Sequence, residues 1–138
     1  MNILVIDAQG GGLGRQLVSA IKADLPDVCV TAAGTNSAAT SAMLKAGADQ
    51  AATGENAVIV ACRTADIIVG PIGLVIADSM LGEITPAMAR AVGQSPAIRI
   101  LLPMNRCRTL IAGAAGGPTS ALLEDAVQKI RALADGNP

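Results

Sequence analysis

The sequence contains no phenylalanine, tryptophan, tyrosine or histidine among its 138 residues. Without aromatic rings it lacks the platforms on which single-stranded bases stack, and without histidine it lacks the imidazole that many enzymes use as a base or metal ligand. Charged residues are also scarce, at 15%, and they balance to a formal net charge of -1. We therefore expect neither nucleic acid nor an anionic membrane surface as a partner.

What the chain has in excess is hydrophobic residues, at 51%, and this composition excludes intrinsic disorder. Its length suits one domain of about 100 to 150 residues, so we predict a single domain over residues 1–138. So apolar a chain leaves more apolar surface than one small domain can bury, which predicts a homo-oligomer, dimeric or larger. The most apolar stretch, residues 67–81, is interrupted by glycine, proline and aspartate and is shorter than the about 18 to 20 residues of a membrane span.

Three cysteines, Cys29, Cys62 and Cys107, are present without any CxxC spacing. The chain also opens on a strand-like run rather than on a charged, leader-like segment. These features predict a reduced, cytoplasmic protein. Cys29 and Cys62 lie in predicted core segments, so we expect both to be buried.

Short runs rich in β-branched residues alternate along the chain with segments of helical periodicity. We predict strands at residues 3–6, 28–33, 48–52, 67–69, 98–102 and 110–112. We predict helices at residues 14–25, 37–46, 55–63 and 86–93, with a last one after Pro118. Thr53 is the expected cap of the third helix, although residues 58–60 would also suit a strand, and Thr85 is the expected cap of the fourth. This alternation predicts a Rossmann-like three-layer αβα sandwich with a mostly parallel sheet.

The turn between the first strand and the first helix is rich in glycine. Its predicted ligand-binding residues are Ala8, Gln9, Gly10, Gly11, Gly12, Leu13, Gly14 and Arg15. Glycines at such a turn let a pyrophosphate approach the N–H groups at the helix N-terminus. No Lys-Ser or Lys-Thr pair follows them, which excludes a Walker A loop. We predict that the loop binds NAD(P) or another adenine nucleotide; the alternative is that its glycines only allow the helix to pack closely on the sheet.

The second strand is followed by Gly34, Thr35 and Asn36, where dinucleotide-binding proteins usually have an acidic residue. The absence of that acid weakens the case for NAD. Thr35 and Asn36 are predicted to hydrogen-bond a ribose or its 2'-phosphate. Alternatively, Asn36 only caps the helix that begins at Ser37.

Acidic side chains follow two of the predicted strands. Asp7 directly follows the first strand and is a candidate base or Mg²⁺ ligand, or else a carboxylate that accepts hydrogen bonds from the loop's own amides. Asp78 and Glu83 follow the fourth strand as a pair of carboxylates, of which Asp78 is the second catalytic candidate. Between that strand and Asp78 lie four further predicted ligand-binding residues, Gly70, Pro71, Ile72 and Gly73, which otherwise form only a rigid turn.

After the strand at residues 98–102, two arginines flank a thiol. Asn105 and Arg106 are predicted to contact a phosphate, and Cys107 between Arg106 and Arg108 is the candidate nucleophile. Since no histidine is available as its base, the alternative is an unreactive cysteine that is buried or half-exposed.

Residues 2–18, 34–49, 53–95 and 101–107 resemble a bacterial family described as a domain of unknown function, DUF3842. The resemblance covers most of the chain up to Gly113 and implies neither an activity nor catalytic residues. The first turn alone also resembles the GxxxGxG loop of short-chain dehydrogenases, with Ala8 in the place of the first glycine. The Tyr-x-x-x-Lys pair of those enzymes is impossible in a chain without tyrosine.

Three functional hypotheses follow. The first is a nucleotide-binding protein that senses or carries a cofactor. The second is a small enzyme that acts on a phosphorylated metabolite through Asp7 or Asp78 with Mg²⁺, or through Cys107 as nucleophile. The third is a non-catalytic subunit that docks its apolar surface onto a partner, with a purely structural glycine loop.

Overall fold

The computed structural model describes residues 1–104, 107–114 and 117–136. Its strands form one parallel sheet in the order β3-β2-β1-β4-β5. The strands are Asn2–Asp7 (β1), Cys29–Gly34 (β2), Gln50–Thr53 (β3), Ile67–Pro71 (β4) and Ile98–Leu102 (β5). The helices are Gly12–Asp24 (α1), Ser37–Lys45 (α2), Glu55–Thr64 (α3), Pro86–Gln94 (α4) and Thr119–Ala134 (α5), and a 3-10 turn is formed by Ile72–Val75.

The central strand, β1, is buried on both of its faces. Ile3 and Val5 belong to a core shared with α1, α2 and α5 on one side of the sheet. Leu4 and Ile6 belong to a second core shared with α3 and α4 on the other side. Because successive side chains of a strand point to opposite faces, a continuous apolar run is what a strand covered on both faces requires. The predicted Rossmann-like αβα sandwich is confirmed.

The strand order places a crevice next to β1. The chain runs outward from β1 to β2 and β3, then returns to build β4 and β5 on the other side of β1. In open α/β sheets, ligands bind at the carboxyl ends of the strands where the order reverses in this way. The segments after β1, β2 and β4 therefore meet at the carboxyl edge of the sheet, where a ligand site is expected.

Three local predictions are wrong. Residues 110–112 form no strand, since Leu110 is 90% exposed and has no layer to pack on. Cys29 is exposed rather than buried, because it is the first residue of β2 and lies ahead of the pairing with β3, which begins at Thr31. Helix α3 is capped by Gly54 rather than Thr53, which is the last residue of β3; residues 58–60 lie within this helix, so the strand alternative is also excluded.

In the part of the chain that the structure describes, no helix is long and apolar enough to cross a bilayer.

Candidate functional site

The turn between β1 and α1 is shaped by its backbone. Gln9 and Gly11 adopt left-handed conformations, with φ of 51° and 71°, and the Gly11 N–H donates to the Ala8 carbonyl over 3.0 Å. A Cβ atom on Gly11 would lie 2.7 Å from the Cα of Ala39 in α2. Glycine is therefore required at position 11 by both the turn and the packing of α1 on α2.

Gly14, in the first turn of α1, allows the helix to approach the sheet. A Cβ atom here would lie 2.8 Å from the Cβ of Asp7 and 2.7 Å from the Sδ of Met43. This is the close helix-on-strand packing that the third glycine of a dinucleotide-binding turn provides. At positions 11 and 14, close packing is therefore sufficient to explain why the residue is glycine.

Gly10 and Gly12 differ from their neighbours. Both are exposed, and neither has a left-handed φ. A Cβ atom on either would meet no atom of the described residues within 4 Å. The fold as described therefore has no need of glycine at these two positions.

Asp7 fastens this turn to the end of β1. Its side chain is buried, with 3% exposure. Oδ1 accepts the Ala8 N–H over 2.8 Å and Oδ2 accepts the Gly14 N–H over 2.6 Å. Burial raises the pKa of this carboxyl group; the two amide hydrogen bonds oppose the rise and the nearby charge of Glu83 adds to it. These hydrogen bonds match the alternative in which the Asp7 carboxylate accepts from the amides of its own loop. A catalytic role for Asp7 stays a prediction.

Glu83, in the loop before α4, connects three segments at this edge. Its Oε1 accepts hydrogen bonds from the Thr35 hydroxyl over 2.6 Å, the Asn36 Nδ2 over 2.8 Å and the Gln9 N–H over 2.9 Å. The Thr35 hydrogen bond is the main reason why the pKa of Glu83 is lowered; burial opposes the shift, and the Gln9 and Asn36 bonds add to it. These hydrogen bonds hold the loop before α4 against the end of β2 and the glycine turn.

Sequence reasoning named Glu83 only as one of two carboxylates after β4 and did not place it among the ligand-binding residues. The signal that points to it is indirect. The end of β2 has two uncharged hydrogen-bond donors, Thr35 and Asn36, where related folds have an acid. Two such donors side by side need an acceptor, and a carboxylate from elsewhere in the chain is one.

The end of β2 is itself tightly built. Asn36 caps α2, since its Oδ1 accepts the Ala39 N–H over 2.9 Å, so the predicted capping role is confirmed. Its Nδ2 also donates to the Gln9 carbonyl over 2.9 Å. A Cβ atom on Gly34 would lie 2.6 Å from the Thr40 N, so this glycine is required by the turn into α2.

The segment after β4 forms the opposite side of the crevice. A Cβ atom on Gly70 would lie 2.7 Å from the Ile6 carbonyl oxygen, so this glycine serves the packing of β4 beside β1. Pro71 ends β4, and Ile72 begins the 3-10 turn. The Gly73 carbonyl accepts the Ser79 hydroxyl over 2.5 Å.

The loop that follows is strained, because Asp78, Met80 and Leu81 all have left-handed φ angles, of 66°, 55° and 57°. Leu81 is 97% exposed at its tip. The Asp78 side chain is also exposed and is not part of the Glu83 hydrogen-bond network. Of the two carboxylates that follow β4, only Glu83 therefore bonds to the end of β2 and to the glycine turn.

The remaining candidates lie beyond β5. Asn105 and Arg106 fall outside the described residues. Cys107 and Arg108 are exposed and have positive φ angles of 45° and 60°. None of the hydrogen bonds of the described residues connects them to the glycine turn, so their predicted roles stay predictions.

Neither a cluster of metal ligands nor the groove between α1 and α5 is found at the glycine turn among the described residues. No three acidic or cysteine side chains of the described ranges come together in a way that would hold a metal ion. A groove of about 560 Å³ lies between α1 and α5, but its lining comes from the flanks of these helices and not from the glycine turn. The glycine turn and the Glu83 network are the better candidate because they lie at the reversal of the strand order.

The fold and this edge define a doubly wound parallel α/β protein with a glycine turn at the reversal of its strand order. Residues 2–135 match the model of the family described as "Domain of unknown function (DUF3842)", and the chain belongs to that family. No curated protein matches the chain. The resemblance stated from its sequence motifs is confirmed.

Among solved structures, the chain is similar to one titled a dodecameric FMN-dependent UbiX-like decarboxylase from Escherichia coli O157:H7. The two are 13% identical, the superposition covers 94% of this chain and 91% of that chain, and the TM-score is 0.41. At this level of similarity, nothing about ligand, reaction or assembly is carried over.

Proposed function

We propose that the protein binds a nucleotide whose phosphates lie on the outer face of the turn at Gly10 and Gly12. The observation that carries the proposal is that these two glycines are exposed and are required neither by φ nor by packing among the described residues. Gly12 is the first residue of α1, and neither its φ nor the packing around it explains why the residue is glycine. Close approach of a ligand to the backbone is such a reason.

The amides of this turn suit a phosphate. In any α-helix the first four N–H groups lack acceptors within the helix. Here the Gly14 N–H is taken by Asp7, which leaves the N–H groups of Gly12 and Leu13 for a ligand. They add to the partial positive charge at the N-terminus of α1. Arg15, exposed one residue beyond Gly14, provides a further positive charge nearby.

Calorimetric titration with ADP and with NAD⁺ tests the proposal in wild-type protein and two matched variants, Gly12→Ala and Gly93→Ala. Gly93 is also an exposed helical glycine whose Cβ would meet nothing within 4 Å among the described residues. Neither alanine should lower the free energy of unfolding, because alanine favours a helix more than glycine does. We expect Gly93→Ala to bind as the wild type does and Gly12→Ala to bind at least about tenfold more weakly.

Equal binding by Gly12→Ala and the wild type would overturn the proposed site. If neither nucleotide binds the wild type, the proposal fails for adenine nucleotides, and the alternative of a subunit with a structural glycine loop is favoured. Because Gly12→Ala should be no less stable than the wild type, a loss of binding in this variant is not a loss of folding.

Homo-oligomer formation and a cytoplasmic location stay predictions. Large apolar side chains are exposed on several elements, among them Leu44 in α2, Val60 in α3, Ile98 in β5, Leu81 and Leu110. Their spread over the surface fits the apolar excess of the sequence. Sedimentation of the purified protein tests the oligomer: a species heavier than the 13.7 kDa chain is expected.

A further inference from the structure

The end of β2 is where a doubly wound protein meets the ribose of a nucleotide whose phosphates lie on the first glycine turn. An acidic residue there commonly accepts hydrogen bonds from the ribose hydroxyls. In this chain the corresponding positions hold Thr35 and Asn36, and neither carries a charge. By this criterion alone, the ribose would have no carboxylate partner.

The structure supplies a carboxylate at this place from a distant part of the chain. Glu83 lies 48 positions beyond Thr35 and 47 beyond Asn36 and is hydrogen-bonded to both side chains. The Gln9 N–H, in the glycine turn, donates to the same oxygen. The acid thus lies between the two features that a nucleotide would contact.

The two oxygens of Glu83 are used unequally. All three hydrogen bonds go to Oε1, and Oε2 accepts none from the described residues. No buried side-chain oxygen of those residues lacks a partner, so Oε2 is accessible to solvent. The side chain is therefore fixed by one oxygen and presents the other.

We infer that Glu83 is the ribose-recognition residue of the proposed nucleotide site and that it selects a ligand with a free 2'-hydroxyl over one with a 2'-phosphate. The inference rests on the proposed function. A ribose hydroxyl donates a hydrogen bond to Oε2 and gains from its negative charge. A 2'-phosphate has no such donor and brings a second negative group beside the carboxylate.

Titration of wild-type protein with two pairs of probes tests this inference. NAD⁺ and NADP⁺ differ only in the 2'-phosphate, and ADP and 2'-deoxy-ADP differ only in the 2'-hydroxyl. We expect the wild type to prefer NAD⁺ and ADP, each by about tenfold or more, the range for a hydrogen bond to a charged group. In Glu83→Gln both preferences should fall to about threefold or less.

Two controls keep the result specific. Glutamine retains an oxygen that accepts hydrogen bonds from Thr35 and Asn36, so Glu83→Gln should keep its fold, as checked by circular dichroism. Glu124→Gln makes the same change on the exposed face of α5 and should keep both wild-type preferences. A merely structural role for Glu83 would weaken all four probes equally and would overturn the inference.

The other outcomes are equally decisive. If wild type and Glu83→Gln show the same ratios, Glu83 does not read the ribose. If Glu83→Gln binds every probe more tightly, Glu83 occupies the ligand's place instead of recognising the ligand, which also overturns the inference. In both cases, a loss of nucleotide binding in Gly12→Ala would still support the proposed nucleotide site. If the wild type binds none of the probes, the proposed site and the inference about Glu83 both fail.

Discussion

The hydroxyl of Thr35 donates a hydrogen bond to the carboxylate of Glu83 over 2.6 Å. Thr35 directly follows β2, and Glu83 lies in the loop before α4. In the sheet, β1 separates β2 from β4, so this bond spans the crevice outside the central strand. It holds the loop that contains Asp78–Leu81 against the end of β2, and the Gln9 N–H bond to the same oxygen holds this loop against the glycine turn.

Substitution Thr35→Val removes the donor while nearly conserving the shape of the side chain. We expect the free energy of unfolding to fall by about 1 to 2 kcal/mol at neutral pH, because a bond to a charged group is lost. The Thr35 bond lowers the pKa of Glu83 from its ordinary value of 4.5. Its contribution is therefore present above that value and is lost as pH falls through the lower pKa of the folded state.

Urea unfolding followed by circular dichroism at neutral and at acidic pH measures this effect, since the chain has no tryptophan to report by fluorescence. The difference between Thr35→Val and the wild type should shrink in acid. Thr64→Val, at the exposed end of α3, is the matched control and should show no such pH dependence. A Thr35→Val difference that is constant with pH would contradict the assigned bond.

Substitution Gly14→Ala should destabilise the protein by about 1 to 3 kcal/mol, the usual cost of overpacking a core. The added Cβ meets the Cβ of Asp7 at 2.8 Å, and this atom is close to the backbone and cannot move aside. Gly12→Ala should be neutral or stabilising in the same unfolding assay. If Gly14→Ala and Gly12→Ala change the free energy of unfolding equally, the close contact between Gly14 and Asp7 is contradicted.

The burial of Asp7 predicts a specific pH dependence of stability. Its pKa is raised above 3.8 in the folded protein, so the unfolded chain loses this proton first as pH rises. The folded state then holds more protons, and the free energy of unfolding decreases with rising pH up to the folded pKa. The Asp7→Asn variant has no carboxyl group at this position, so this pH-dependent change in its stability is absent.

Unfolding of the wild type and Asp7→Asn across the acidic range isolates the effect. The stability of the wild type relative to the variant should fall as pH rises from 3.8 and level off above the raised pKa. The variant also loses an amide acceptor, but that loss is independent of pH. A relative stability that rises with pH would mean that the two amide hydrogen bonds outweigh burial.

The cysteines should react in two classes. Cys29 and Cys107 are exposed, whereas Cys62 is buried and its pKa is raised to about 11 by burial. A thiol-reactive disulfide reagent added to folded protein should modify Cys29 and Cys107 rapidly and Cys62 only after unfolding. Rapid modification of Cys62 in the folded state would contradict the packing of α3 on the sheet.

Much of the fold was predictable from the sequence, because runs such as residues 3–6 are too uniformly apolar for anything but a strand covered on both faces. The parallel order followed from the alternation of strands with helices. The failures lie where the signal is shorter than an element. Residues 110–112 are three apolar residues without a partner layer. Cys29 lies at a strand end, where burial depends on how far the neighbouring strand extends.

The candidate site was predictable only in part. The glycine turn and the ends of β2 and β4 were located correctly, because parallel topology brings strand ends together. The partners of Glu83 were not, since its bonds to Gln9 and Thr35 cross 74 and 48 positions of the chain. Nor did the sequence separate Gly10 and Gly12, which packing does not require, from Gly11 and Gly14, which it does.

The most direct test of the central claim is the near-ultraviolet spectrum of natively purified protein, with mass spectrometry of the small molecules released by acid. The chain has no tryptophan, tyrosine or phenylalanine, so the polypeptide contributes almost no absorption in the band of a nucleobase. We expect wild-type protein to show that band and to release a nucleotide with a free 2'-hydroxyl, and Gly12→Ala to show neither. A wild-type spectrum without the band, together with no stabilisation by added nucleotides, would contradict the account.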